Sequence, residues 1–243
     1  MRRVRFRDPA GSVRRGEWID DAITFADHTY DPDEVTVLPP TDPSKIVCVG
    51  LNYADHAAES GMEVPDRPLL FLKPPNTLAA HGDAVPLLPG KDEIEYEAEL
   101  AVIIGEQCRN VAAEDAYDVV EGFTCANDVS NRDDQMVEQN WVRGKAFDNA
   151  CPLGPVVVPP ADVPEDASIR LRHNGEVVQD SSRAEFIFSV PELVEEITTY
   201  MTLEAGDVIL TGTPAGVGPL ADGDTTSVEI EGVGALENEF TAE

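Results

Sequence analysis

The stretch Glu95-Tyr96-Glu97-Ala98-Glu99-Leu100-Ala101-Val102-Ile103-Ile104-Gly105 begins by alternating acidic and apolar residues with the period of a β-strand. On that reading Glu95, Glu97 and Glu99 share one face, and Tyr96, Ala98, Leu100, Val102 and Ile104 share the other. Three like charges on one side of an otherwise apolar strand repel one another. The strand therefore needs a core against one face and something positive against the other, and a divalent cation is the simplest candidate.

The chain of 243 residues fits one domain, or one domain with a small appendage. A chain of that size buries roughly 70% or more of its unfolded surface, so a core forms without staples. Asp and Glu number 47 against 17 Lys and Arg, a net charge of −30, and only Lys45, Lys73, Lys91 and Lys145 are lysines. The charges are interspersed with apolar runs, as on a folded protein with a hydrated surface. The composition reads as an adaptation to high salt, where the Debye length shrinks to about 3 Å at 1 M; an ordinary acidic protein is the alternative. Nucleic-acid binding is disfavoured, because phosphate would be repelled. Cys48, Cys108, Cys125 and Cys151 are not spaced as zinc pairs and read as buried small hydrophobes in a reducing compartment. No apolar run is long enough for a membrane span, and the basic N-terminus lacks the apolar stretch of a secretory signal, so a cytoplasmic location is expected.

Residues 1–43 form a distinct opening, a short N-terminal β region. Val4 and Phe6 alternate with Arg3, Arg5 and Arg7, and six arginines gather by position 15, read as pairing with the acidic body. Pro39, Pro40 and Pro43 mark a linker, and residues 44–243 form the main domain. Short strands are expected at 45–50, 68–72, 208–210 and 228–230. A helix is expected over 113–121 with Gly122 as its C-terminal cap, and another is opened by Ser189, Pro191 and Glu192 with Leu193, Val194, Ile197, Tyr200 and Met201 as its apolar stripe. Many short strands with few helices indicate an α+β fold dominated by sheet.

Three groups of residues carry chemistry. Glu97 and Glu99, roughly 6.6 Å apart along one strand face, can lean towards one ion, and hard oxygen ligands suit Mg2+ or Mn2+. Asp128, just after the apolar run 122–126, offers a third carboxylate; solvated acidic strands are the bland alternative. His56 and Glu59, three apart, would share a face of a short helix, where a carboxylate orients the imidazole and raises its basicity. The alternative there is a routine surface pair. Lys73 and Lys145 sit beside apolar runs in a chain otherwise poor in lysine, placed to meet the acidic cluster or an anionic substrate.

Taken together, Val49–His56, Phe71–Pro74, Tyr96–Gly105, Asn127–Asp133, Gly144–Asp148, Cys151–Pro155 and Thr211–Pro214 resemble the fumarylacetoacetate hydrolase family, from about Lys45 to the end of the chain. The resemblance implies a mixed β-roll, a homodimer, and an open Mg2+ or Mn2+ site held by Glu97, Glu99 and Asp128. It implies that His56 and Glu59 are the dyad of the acylpyruvase branch. Lys145 and Gln135 then contact the substrate or the attacking water, and Arg132, Lys73 and Thr213 bind substrate. Gly144 and Asn131 depart from the commoner alanines. The expected reaction is cleavage of a C–C bond in an acylpyruvate to pyruvate and a carboxylic acid. Isomerisation of a 2-hydroxyhepta-2,4-diene-1,7-dioate type of diacid and decarboxylation of oxaloacetate are alternatives on the same site. A non-catalytic, divalent-ion-binding acidic protein is the alternative from another class; it requires that the three carboxylates stand apart or that no pocket opens onto them.

Overall fold

The computed structural model describes residues 1–59 and 61–242. Its largest sheet runs, in spatial order, through His28–Tyr30, Ala22–Phe25, Val13–Ile19, Arg3–Arg7, Cys151–Val158, Val120–Asn127, Ala98–Ile104, Val208–Leu210, Ile46–Val49 and Leu70–Lys73. A three-stranded sheet joins Ser130–Asn131, Ile94–Tyr96 and Gly218–Pro219. A five-stranded sheet orders Glu176–Ser182, Ser168–His173, Thr225–Ile230, Gly234–Ala242 and Ala84–Leu87. Most pairs are antiparallel, but Val208–Leu210 runs parallel to Ile46–Val49, and Gly234–Ala242 parallel to Ala84–Leu87. With few helices, this is the α+β architecture expected.

Ala98–Ile104 is buried along its whole length. Leu100, Val102 and Ile104 enter the larger core, whereas Ala101 and Ile103 enter a second one with Ile46, Cys48, Leu153 and Leu210. A strand covered on both sides reads as a nearly unbroken apolar run, as Leu100–Ile104 does. By alternation Glu99 lies on the face of Ala101 and Ile103, so its carboxylate points into protein rather than solvent. All four cysteines are buried and free.

The acidic strand is not continuous, contrary to expectation. Ile94–Tyr96 belongs to the small sheet and Ala98–Ile104 to the large one, with Glu97 at the crossing. Glu95 is not part of the carboxylate cluster: it pairs with Arg132 (2.7 Å), whose guanidinium also reaches Glu97. The helix expected over 113–121 is a 3-10 segment, Ala113–Asp118, and Val120 already begins a strand. Gly122 is no cap: a Cβ there would sit 2.5 Å from the Val158 carbonyl oxygen, so its bare backbone lets Val120–Asn127 close against Cys151–Val158. The other helix forms as read, over Val190–Tyr200, with the Glu192 carboxylate accepting from both N–H and O–H of Ser189. Tyr200, expected in the apolar stripe, is exposed and lies beneath Arg67 instead.

Residues 1–43 extend the main sheet, since Arg3–Arg7 pairs with Cys151–Val158. Of their arginines, Arg3 pairs with Glu121 of the acidic body as expected, whereas Arg5 pairs with Asp42 and Arg14 with Asp8 inside the opening region itself. At the far side of this region the half-buried His81 ring accepts a hydrogen bond at Nδ1 from the Glu237 N–H (3.1 Å) and packs edge-on against Trp18. Accepting at Nδ1 requires the neutral ring. Burial lowers the pKa of His81 from the ordinary 6.5, against a smaller opposing pull from Glu237. A depressed folded-state pKa means that the contribution to stability is complete above the unfolded value and is lost as pH falls below it. Thermal melts between pH 7.5 and 5.5 should therefore show a Tm that declines on acidification, and His81→Asn, which keeps an acceptor that cannot titrate, should show a shallower decline. Equal slopes would remove His81 from the pH response.

Candidate metal centre and active site

The switch of sheets at Glu97 frees its backbone from the regular ladder. Its N–H donates to Asn127 Oδ1 (2.9 Å), and its carbonyl accepts from the N–H of Asp128 (2.9 Å). Alongside, Ala98 pairs with Asn127 and Glu99 with Ala126. Two segments thirty residues apart are thus tied backbone to backbone, which brings Asp128 beside the two glutamates. One oxygen from each of Glu97, Glu99 and Asp128 lies within 4.8 Å of the others, and all three side chains are buried. Of the two conditions that the ion-storage alternative offered, that of carboxylates standing apart is not met: they converge.

Cations surround the cluster. Lys145 Nζ donates to Glu97 Oε2 (2.8 Å) and Asp128 Oδ2 (2.9 Å). Arg132 donates to Glu97 Oε1 and to Glu95, and its third contact is Gln135 Oε1 (2.7 Å). Lys73, fully buried, donates to the carbonyls of Val129 (3.1 Å) and Ala150 (2.7 Å) and lies 2.7 Å from Asp128 Oδ1. That last approach is close in charge but off the hydrogen-bonding direction, and Asp128 Oδ1 accepts no hydrogen bond from the described residues. Gly144 has a steric reason to lack a side chain, since a Cβ there would stand 2.7 Å from Gln135 Cβ.

The carboxylates are not equivalent. Burial pushes Glu97 towards protonation, but Lys145 and Arg132 outweigh it and hold the carboxyl well below the usual range. Glu99 goes the other way: burial, then the charges of Asp128 and Glu97, push it well up. Its carboxylate accepts from the Gly212 N–H (2.6 Å), and it has no cationic side-chain partner among the described residues. An all-oxygen donor set, a buried oxygen that accepts no hydrogen bond and a glutamate destabilised by its neighbours together fit a hard dication such as Mg2+ or Mn2+.

His56 and Glu59 lie on the short helix Ala54–Glu59, with Nδ1 and Oε2 3.2 Å apart. His56 is buried. Glu59 also accepts the N–H of Gly216, which docks the helix on the glycine-rich turn 212–218. Thr213, on the same turn, is buried one residue from the Gly212–Glu99 contact. Lys73 faces Asp128 and two carbonyls, so its reach is taken up inside the protein. The sequence did not single out Asn52, whose side chain bonds Phe188 N–H, Phe188 O and Thr211 O and so seats the turn. Nor did it single out Asn127 or Gln179. Buried amides carry no periodic signal; the only hint was polar residues placed beside apolar runs.

The chain belongs to the fumarylacetoacetate hydrolase family: the model for the "Fumarylacetoacetate (FAA) hydrolase C-terminal" region matches residues 45–241. Oxaloacetate tautomerase YisK of Bacillus subtilis is 42% identical, over 87% of this chain and 75% of that protein. The crystal structure of a 5-carboxymethyl-2-hydroxymuconate delta-isomerase from Mycobacterium smegmatis superposes with a TM-score of 0.91 at 39% identity, covering 100% of this chain and 99% of the other. A maleylpyruvate hydrolase from Sphingobium sp. SYK-6, solved with manganese(II) and pyruvate, gives a TM-score of 0.83 at 30% identity, covering 100% and 99%.

Proposed function

We propose that this chain is a divalent-cation-dependent enzyme acting on a small, enolisable 2-keto acid, and that its reaction moves a proton at the carbon next to the keto group. Tautomerisation and double-bond isomerisation are the first reading. The observation that carries it is a buried triad of hard oxygen ligands beside a buried, carboxylate-oriented imidazole, whose partner Glu59 is bonded to the same turn that donates to Glu99. The likeness to a tautomerase and an isomerase supports the same reading.

Glu97, Glu99 and Asp128 would hold Mg2+ or Mn2+. When bound, such an ion supplies a Lewis acid for the keto and carboxylate oxygens of the substrate. The rest is the work of side chains. With Nδ1–H donating to Glu59, His56 has its Nε2 lone pair free to take the proton and later to return it at another carbon or oxygen. Lys145, between Glu97 and Asp128, presents positive charge to the oxyanion that develops. Arg132, Gln135 and Thr213 contact the acid end of the substrate, and Lys73 holds Asp128 in place from behind.

A second reading is the hydrolytic cleavage of an acylpyruvate to pyruvate and a carboxylic acid. It uses the same imidazole to take a proton from water, and the maleylpyruvate hydrolase likeness favours it. We also read the chain as a homodimer. The edge strand Leu70–Lys73 ends the main sheet and leaves Leu72 exposed, a surface that a second copy would cover.

One panel separates the reactions: oxaloacetate, an acylpyruvate and a diene diacid, each with Mg2+ or Mn2+, at low salt and in molar KCl. Loss of enol absorbance without new acid is expected for the first reading. Pyruvate plus a carboxylic acid marks hydrolysis, and carbon dioxide marks decarboxylation. No cation-dependent change with any of them would end the proposal.

A further inference from the structure

Glu176–Ser182 is an outer strand of the five-stranded sheet and is largely solvent-facing, yet Gln179 within it is 1% exposed. Its amide is fully used. Nε2 donates to Thr213 Oγ1 (2.9 Å) and to the Pro214 carbonyl (2.8 Å), and Oε1 accepts the N–H of Ala98 (2.9 Å). The orientation is fixed by its partners, because turning the amide over would set its NH2 against an N–H and its oxygen against a carbonyl. One side chain therefore spans two parts of the centre: the peptide between Glu97 and Glu99, and the turn that carries Thr213.

This fixes the direction of a proton. A threonine hydroxyl has one hydrogen to give. Because Thr213 Oγ1 accepts from Gln179, its own hydrogen points elsewhere, and it meets no acceptor among the described residues. Next to it the Gly212 N–H is already committed to Glu99. The same strand also supports the turn at Gly216, where a Cβ would come within 2.2 Å of the Val178 carbonyl oxygen and whose N–H donates to the Glu59 carboxylate. Gln179 thus braces the surface on which the His56 helix lands.

We propose that Gln179 is a positioning residue that holds the Thr213 hydroxyl as a hydrogen-bond donor towards an oxygen of a bound 2-keto acid. The assignment rests on the keto-acid reading above. Gln179→Glu tests it, because a carboxylate accepts where the amide donates and so draws the Thr213 hydrogen to itself. Pyruvate binding to the Mn2+-loaded protein is measured by calorimetry for wild type, Gln179→Glu, Thr213→Val and the double variant, with Mn2+ affinity and Tm recorded for each. Each single variant should weaken pyruvate binding about 10- to 100-fold, the span of one hydrogen bond to a charged group. The double variant should be no weaker than the singles, since both remove one interaction. On the substrate found by the panel, KM should rise with kcat held.

Losses that multiply in the double variant, or unchanged pyruvate affinity in Gln179→Glu with wild-type binding intact, would overturn the role of Gln179 alone. If Gln179→Glu does not fold, unchanged pyruvate affinity in Thr213→Val overturns it equally. Failure of the wild-type protein to bind pyruvate would overturn the keto-acid reading, and this assignment with it.

Discussion

Glu99→Gln should make the metal-free protein more heat-stable while abolishing its response to divalent cations. The two effects share one cause. Glu99 is buried beside Glu97 and Asp128, and it alone of the three makes no ion pair with a cationic side chain among the described residues. Without a dication its charge costs free energy, which is why its pKa is driven upward by burial and by those two neighbours. A glutamine keeps an oxygen for the Gly212 N–H and removes the repulsion. It also removes an anionic ligand. Saturating Mn2+ at a hundred times its Kd would stabilise wild type by about 2.7 kcal/mol, and this increment should vanish in the variant. Turnover should fall by about 10³ or more, because a Lewis acid contributes several kcal/mol to such a transition state. Melting curves in EDTA and in Mn2+ read both effects without an assay. A variant that melts lower than wild type in EDTA would refute the argument from repulsion. A variant that Mn2+ still stabilises in full would remove Glu99 from the ligand set.

His56→Ala should lower turnover by about 10²–10⁴, the usual contribution of a general acid–base group, with Mn2+ affinity unchanged. The ring lies on a different element from the ligands and makes no hydrogen bond to them; its partner is Glu59. Glu59→Gln should give a smaller loss than His56→Ala, because an amide oxygen can still accept the Gly216 N–H and the Nδ1 hydrogen and so keep the ring oriented. Burst-free steady-state rates and Mn2+ titrations of the two variants provide the check. Wild-type turnover in His56→Ala would take the dyad out of the mechanism, whichever reaction the substrate panel identifies.

The carboxylate triad was legible because its signal is local: two glutamates in a strand period and an aspartate at the end of an apolar run. The dyad was legible because three residues make nearly one helical turn. The inaccurate parts were those governed by tertiary context. Alternation alone extended the acidic strand through Glu97, whereas the chain changes sheets there, and only long-range pairing decides that. Gly122 resembled a helix cap because glycine reports an absent side chain without saying whether a turn or a neighbouring strand requires it. Gln179 looked like any polar residue of an exposed strand. Its importance comes from what lies across the fold, a turn that offers one hydroxyl and one carbonyl and the peptide N–H of Ala98, none of which is near it in sequence.

The seam at Glu97 also separates what is free to vary from what is not. The segments carrying the three ligands are joined mostly through main-chain hydrogen bonds, with the Asn127 side chain closing the seam on the Glu97 N–H. The His56 helix and the 212–218 turn approach that junction from outside, held by side-chain amides and by the carboxylates of Glu59 and Glu99. Exchanging loops around the rim therefore leaves the anchor intact. On such a plan, lineages would diversify by redecorating the entrance, and the identity of the incoming acid would be recorded in the loops while the shared electrophilic step stayed in the sheet.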